Sequence, residues 1–383
     1  MSGAVGSVVG NGTVPSIAWI PWVSWAADRL AQSGEGLASY ESRRAQMRDA
    51  LVFAALLAPE LVRGEPAGIL TSVLVAFAVT IARAPRRVRA LGRLSLAAAA
   101  GSIPLAAATV LPALYLLPFS DRAEGSGAIG LAWSMHPTRM LEWVWPSMFG
   151  HPAWRARTVS ALISNTNVVP RGATNWSASI FFGAPALWLA TRARGRGART
   201  LLVATIAFVV LALGRFTPIY PALREISFPL QLVRFPEKFL IGAACIWSAL
   251  AGAGLGATFS GRPAARAVVG ATAIAIALTL LVTAGTFAAP YLVDHLASIA
   301  AAAQPPIDVD AALTISIREG AIAAAVAAVF AMIVAWRRFG STALPASLAV
   351  VCLLTAPSCG TPSRIRPRHP AESLSVARLC WKG

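Results

Sequence analysis

Runs of roughly twenty apolar residues recur along this chain, and arginines close off most of them. A helix needs about 20 apolar residues to cross the hydrocarbon core of a bilayer. In lipid every backbone N–H and C=O must find its partner inside the protein, so such runs fold as helices packed into a bundle. The hydropathy pattern predicts spans near 66 to 84, 93 to 116, 199 to 215, 238 to 258, 267 to 289 and 319 to 336. Weaker runs lie at 14 to 30, 176 to 191 and 342 to 358, and a short one at 48 to 63 crosses on a tilt or re-enters. The expected fold is an all-α polytopic bundle of eight to ten helices over residues 1–358, ten on the fullest count, with 359–383 as a disordered or out-of-frame tail.

Composition agrees. The 383 residues are 56% hydrophobic and 13% charged, with a mean hydropathy of +0.64, far from the balance of a water-soluble domain. The net charge of +17 is almost all arginine, since Lys238 and Lys382 are the only lysines. A nucleic-acid partner would want those cations on one polar face; here they punctuate apolar runs, which excludes that class. The segments 83–93, 192–199, 261–266 and 337–338 hold thirteen arginines and no acid. They fall after alternate spans and so share one face, and short loops rich in arginine stay in the cytoplasm. The intervening loops 117–175, 216–237 and 290–318 carry Asp121, Glu142, Asp294, Asp308 and Asp310 and are expected outside, on the extracytoplasmic face.

The amino terminus falls outside on this count, yet residues 1–13 lack a charged leader region, so the chain reads as if an upstream part were missing. Cys245 and Cys352 lie within predicted spans, and no Cys/His metal spacing or phosphate-loop motif occurs. The glycines of GAGLG, 252 to 256, read as close helix packing.

The outer loops are where chemistry is expected. HPTRMLEWVWPSMFG, 136 to 150, places Met140, Trp143 and Val144 on one helical face, which predicts an amphipathic helix lying at the interface. The stretch from Arg215 to Lys238 is broken by prolines, and irregular backbone at this depth belongs against protein or a wet cavity. Arg234 and Lys238 are four apart. Either they converge on an anionic group such as a lipid phosphate, or Arg234 pairs with Glu237 and both cations reach to headgroups. Glu65, at a turn between two spans, is a substrate-hydroxyl contact or a solvated carboxylate. His136 and His151, each before a proline, suit proton transfer or ordinary surface and capping roles. Trp176, beside Asn175, stacks on a sugar or sits in the interfacial belt. Arg122 is an anion contact or a helix-end anchor.

The segments IAWIPWVSWAADRL, LVRGEP, LPALYLLPFSDR, HPTRMLEWVWPSMFG, NWSASIFFGAPALWLA and LALGRFTPIYPALREISFPLQLVRFPEKFL come in an order that resembles the bacterial YfhO-type integral membrane proteins, over roughly residues 14 to 260. Those resemble the GT-C superfamily, glycosyltransferases that use polyprenyl-phosphate-linked sugars. The resemblance implies a multi-pass protein of the bacterial inner membrane with an outward-facing site. It implies a polyprenyl-phosphate sugar donor, a cell-envelope acceptor and a divalent metal as a family option. It also implies a catalytic carboxylate in a first outer loop, upstream of Met1, so an active enzyme and a truncated or inactive copy both stay open. Two other classes compete: a transporter or lipid-handling protein, and a non-catalytic membrane scaffold.

Overall fold

The computed structural model describes residues 14–33, 40–63, 65–83, 92, 100–119, 131, 133–150, 180–233, 235–260, 263–302 and 308–339. Among them the ordered elements are helical and there is no β-strand. The long helices are α1 (Val14–Ser33), α2 (Tyr40–Arg63), α3 (Pro66–Arg83), α4 (Ala107–Leu116), α5 (Ala184–Arg192) and α6 (Arg196–Leu213). The short α7 (Ile219–Ile226) and α8 (Phe228–Gln231) follow, then α9 (Leu240–Phe259), α10 (Ala265–Ala302) and α11 (Val309–Phe339).

Five segments among the described residues are long and apolar enough to cross a membrane: Pro66–Arg83, Arg196–Phe216, Pro236–Phe259, Ala265–Leu296 and Val309–Phe339. The chain is a multi-pass, all-α membrane protein. Among the described residues the other expected runs take these forms. α1 forms over the run at 14 to 30 but carries Asp28 and Arg29, and α2 is 24 residues long yet opens on YESRRAQMRD. Of the run at 93 to 116 the apolar helix is Ala107–Phe119. Of 176 to 191 the helical part is α5, and 342 to 358 lies outside the described residues, as does the tail.

The expected outer loop 290–318 is instead mostly helix. α10 continues past 289 through Pro290 to Ala302, and α11 begins at Val309. The alanine-rich sequence after Pro290 explains this, because alanine has the highest helix propensity of all residues.

Small residues hold the bundle together. With lipid as apolar as leucine, helices associate through close packing. Ala267, Ala271 and Ala275 of α10 share a buried cluster with Ala324, Ala327, Ala328 and Ala331 of α11. A side chain at Gly197 of α6 would stand 2.7 Å from the Ala82 carbonyl of α3. That contact puts the end of α3 against the start of α6, so the two run antiparallel. Gly254 of α9 is tighter still, since a Cβ there would lie 1.8 Å from the Leu189 carbonyl of α5. α5 joins two cores: Ala190 packs in the cluster of α3, α6 and α9, while Ala184 and Trp188 pack with α10 and α11. Asp28 of α1 bonds Arg83 of α3 at 2.7 Å, and Ser72 of α3 donates to Glu60 of α2 at 2.8 Å.

The bundle therefore has two unlike ends. One carries Arg83, Arg192, Arg196, Arg199 and Arg337, the last lying over Phe259 at the close of α9. At the other, the start of α3, the end of α6 and the start of α9 meet.

Candidate functional site

The site is built at the end away from the arginines, where irregular backbone fits between helices. α6 ends at Gly214, whose φ is +52° and whose Cβ position lies 2.2 Å from Ser134 Oγ, so only glycine fits this turn. The segment 133–150 is pinned there by its backbone. Met135 N–H donates to Ala212 O at 2.9 Å, Glu237 N–H to Trp133 O at 3.3 Å, and Gly183 N–H to Trp143 O at 2.9 Å. Trp145 wedges between α10 and α11, its indole N–H donating to Ser316 O at 2.7 Å, in a notch left by Gly320 and Gly285.

This corrects the expectation of an interfacial amphipathic helix. Pro137–Trp143 is a 3₁₀ turn, and its polar side chains face inward. Met140 and Trp143 pack against the core, and Arg139 and Glu142 are 2% and 1% exposed. Arg139 donates to Glu142 Oε2 through Nε at 3.0 Å and Nη2 at 2.7 Å, and through Nη1 to Glu237 Oε1. One guanidinium thus holds two buried carboxylates, a planar geometry that lysine lacks. Burial pushes the Glu142 carboxyl above its usual value against the pull of Arg139. For Arg139, burial works against the charge, and the two carboxylates outweigh it and hold its pKa up.

Lys238 lies one residue beyond that triad and makes a second pair. Its ammonium bonds Glu65 Oε1 and lies 5.1 Å from the centre of the Phe235 ring. The two side chains are 13% and 17% exposed. Glu65 is therefore not a solvated turn carboxylate, because folding brings it to a lysine 173 positions away. The next residue, Pro66, lines a groove of about 520 Å³. Leu70 and Val73 of α3, Leu114 of α4, and Pro229 and Leu232 around α8 complete an almost wholly apolar wall.

His136 caps the 3₁₀ turn, its Nδ1 accepting from Thr138 N–H at 3.3 Å. Burial and then Arg215 hold its pKa below 6.5. The structure thus gathers Glu65, His136, Glu237 and Lys238 at one end, whereas Arg122, His151, Asn175, Trp176 and Arg234 lie outside the described residues. Glu237 pairs with Arg139, the partner that sequence reasoning missed. The available signal was an arginine and a glutamate three apart in a loop crowded with tryptophan and proline. Among the described residues no group of three or more His, Cys, Asp and Glu side chains forms a metal site. Glu142 and Glu237 bond Arg139 and Glu65 bonds Lys238, an arrangement that does not suit a divalent cation. Comparison with protein-family models, curated proteins and solved structures gives no match to this chain.

Proposed function

We propose that this membrane protein takes up a polyprenyl-phosphate-linked sugar at the groove beside Glu65 and Lys238 and passes the sugar to a cell-envelope acceptor, as GT-C-like glycosyltransferases do. The observation that carries the reading is the apolar groove of about 520 Å³ abutting a lysine–carboxylate pair. Its size falls within the ~300–1,000 Å³ of ordinary ligand sites, and its lining suits a hydrocarbon chain. Lys238 supplies the point charge a lipid phosphate needs. The arginines at the opposite end favour a cytoplasmic setting for that face, and a groove mouth on the extracytoplasmic side of a bacterial inner membrane agrees with that orientation. The resemblance to YfhO-type proteins supplies the reaction class.

A second reading has its own support. Glu65, Glu142 and Glu237 are each held in an ion pair, which suits lipid handling without chemistry. The two readings separate in nanodiscs supplied with a polyprenyl-phosphate hexose and an acceptor extract. Binding with sugar release supports transfer, and binding without release supports lipid handling. Ala113 of α4 also lines the groove, and retained binding after Ala113→Trp, which fills it, would refute both.

A further inference from the structure

We infer that Glu65 is an internal stand-in for the lipid phosphate: its carboxylate occupies the anion position on Lys238, and an incoming phosphate displaces it. This rests on the lipid-phosphate reading above and adds a gate to it.

The geometry supports a displaceable counter-ion. Glu65 lies in the short turn between α2 and α3, not within a helix, and both partners keep partial access to solvent at 17% and 13% exposure. Contrast the neighbouring triad, whose three side chains are sealed at 1% to 2%. Glu237, adjacent in sequence, is bonded to Arg139 and so is committed elsewhere. Lys238 lies in the 3₁₀ turn Pro236–Phe239 that leads into α9, with its ammonium over Phe235, so the ring holds the cation in place while the carboxylate of Glu65 is the partner that swings. Pro66 follows Glu65 and forms part of the groove wall, so a chain seated in the groove brings its headgroup to this pair. Exchanging one monoanion for another leaves the charge on Lys238 compensated, which avoids the large penalty of an unpaired buried ion.

An intramolecular anion competes with the ligand, so its removal must tighten binding. Glu65→Gln should bind a polyprenyl-phosphate hexose, whose phosphodiester is a monoanion, in phosphatidylcholine nanodiscs about fivefold more tightly than the parent, since a partly exposed pair is worth up to ~1 kcal/mol. The Glu65→Gln, Lys238→Met double variant removes both charges and should lose at least tenfold relative to Glu65→Gln, with thermal unfolding recorded to establish that it is folded. Inorganic phosphate, which lacks a chain for the groove, should bind both Glu65→Gln and the parent far more weakly than the lipid. If the parent binds the lipid and Glu65→Gln binds no tighter, this inference is wrong while the lipid reading stands. If neither binds, both fall. Equal affinity for inorganic phosphate and lipid also overturns it.

Discussion

Replacing Gly254 with alanine should destabilise the bundle, whereas the same change at Gly252 or Gly256, two residues to either side, should not. A Cβ at Gly254 would lie 1.8 Å from the Leu189 carbonyl oxygen and 2.7 Å from its carbon. Ordinary contact begins near 3.4 Å, so the shortfall is about 1.6 Å (3.4 minus 1.8). The obstructing atoms are helix backbone and cannot rotate away, so α5 must lift off α9. Lifting α5 strains the Ala184 and Trp188 contacts with the α10–α11 pair. Overpacking of this kind costs ~1–3 kcal/mol, and the depth of this overlap places it near the upper end. Alanine recovers up to ~1 kcal/mol of helix propensity over glycine, leaving a net loss of ~2 kcal/mol. Positions 252 and 256 meet nothing within 4 Å, so there the propensity gain stands alone. Unfolding of the detergent-solubilised protein, followed by tryptophan fluorescence against temperature and denaturant, reads the difference. Equal stability of all three variants would show that α5 and α9 do not touch through Gly254.

Arg139→Met should destabilise by ~3–5 kcal/mol because it strands two buried carboxylates, and adding Glu142→Gln and Glu237→Gln should recover most of that loss in the same unfolding assay. Trp145→Phe removes the hydrogen bond to Ser316 O and should cost ~0.5–1.5 kcal/mol plus a packing term, read as faster protease cleavage within residues 133–150. His136 has a pKa lowered from 6.5. Its stabilising contribution is therefore complete above that value and fades as pH falls through the lowered one. The stability difference between the parent and His136→Asn should shrink as pH drops from about 7.5 towards 5, and a difference that grows instead would contradict the lowered value.

Hydropathy made the long helices legible because a lipid-crossing helix must be apolar along its length, whatever it packs against. The GAGLG stretch was likewise readable as packing, although only Gly254 of its three glycines touches a neighbour. The site was less legible, since its bonds join distant residues. Glu237 bonds Arg139, 98 positions back. Local spacing could not reveal that the 3₁₀ turn puts Arg139 and Glu142 inward, and three apolar residues at helical intervals suggested the opposite orientation. Glu65 looked solvated because its turn is short and polar, and only the antiparallel packing of α3 on α6 brings it to Lys238. The groove has no signature in sequence, being a gap between α3, α4 and α8.

The indole of Trp145 has a mechanical consequence. α10 and α11 pack chiefly on each other and meet the remaining helices through α5, through Phe259 at the close of α9 and through this ring. A tilt of that pair would pull on the ring like a lever on a pin, three residues from Glu142. A shift of α10 and α11 would therefore act close to Arg139, the only arginine buried among the described residues.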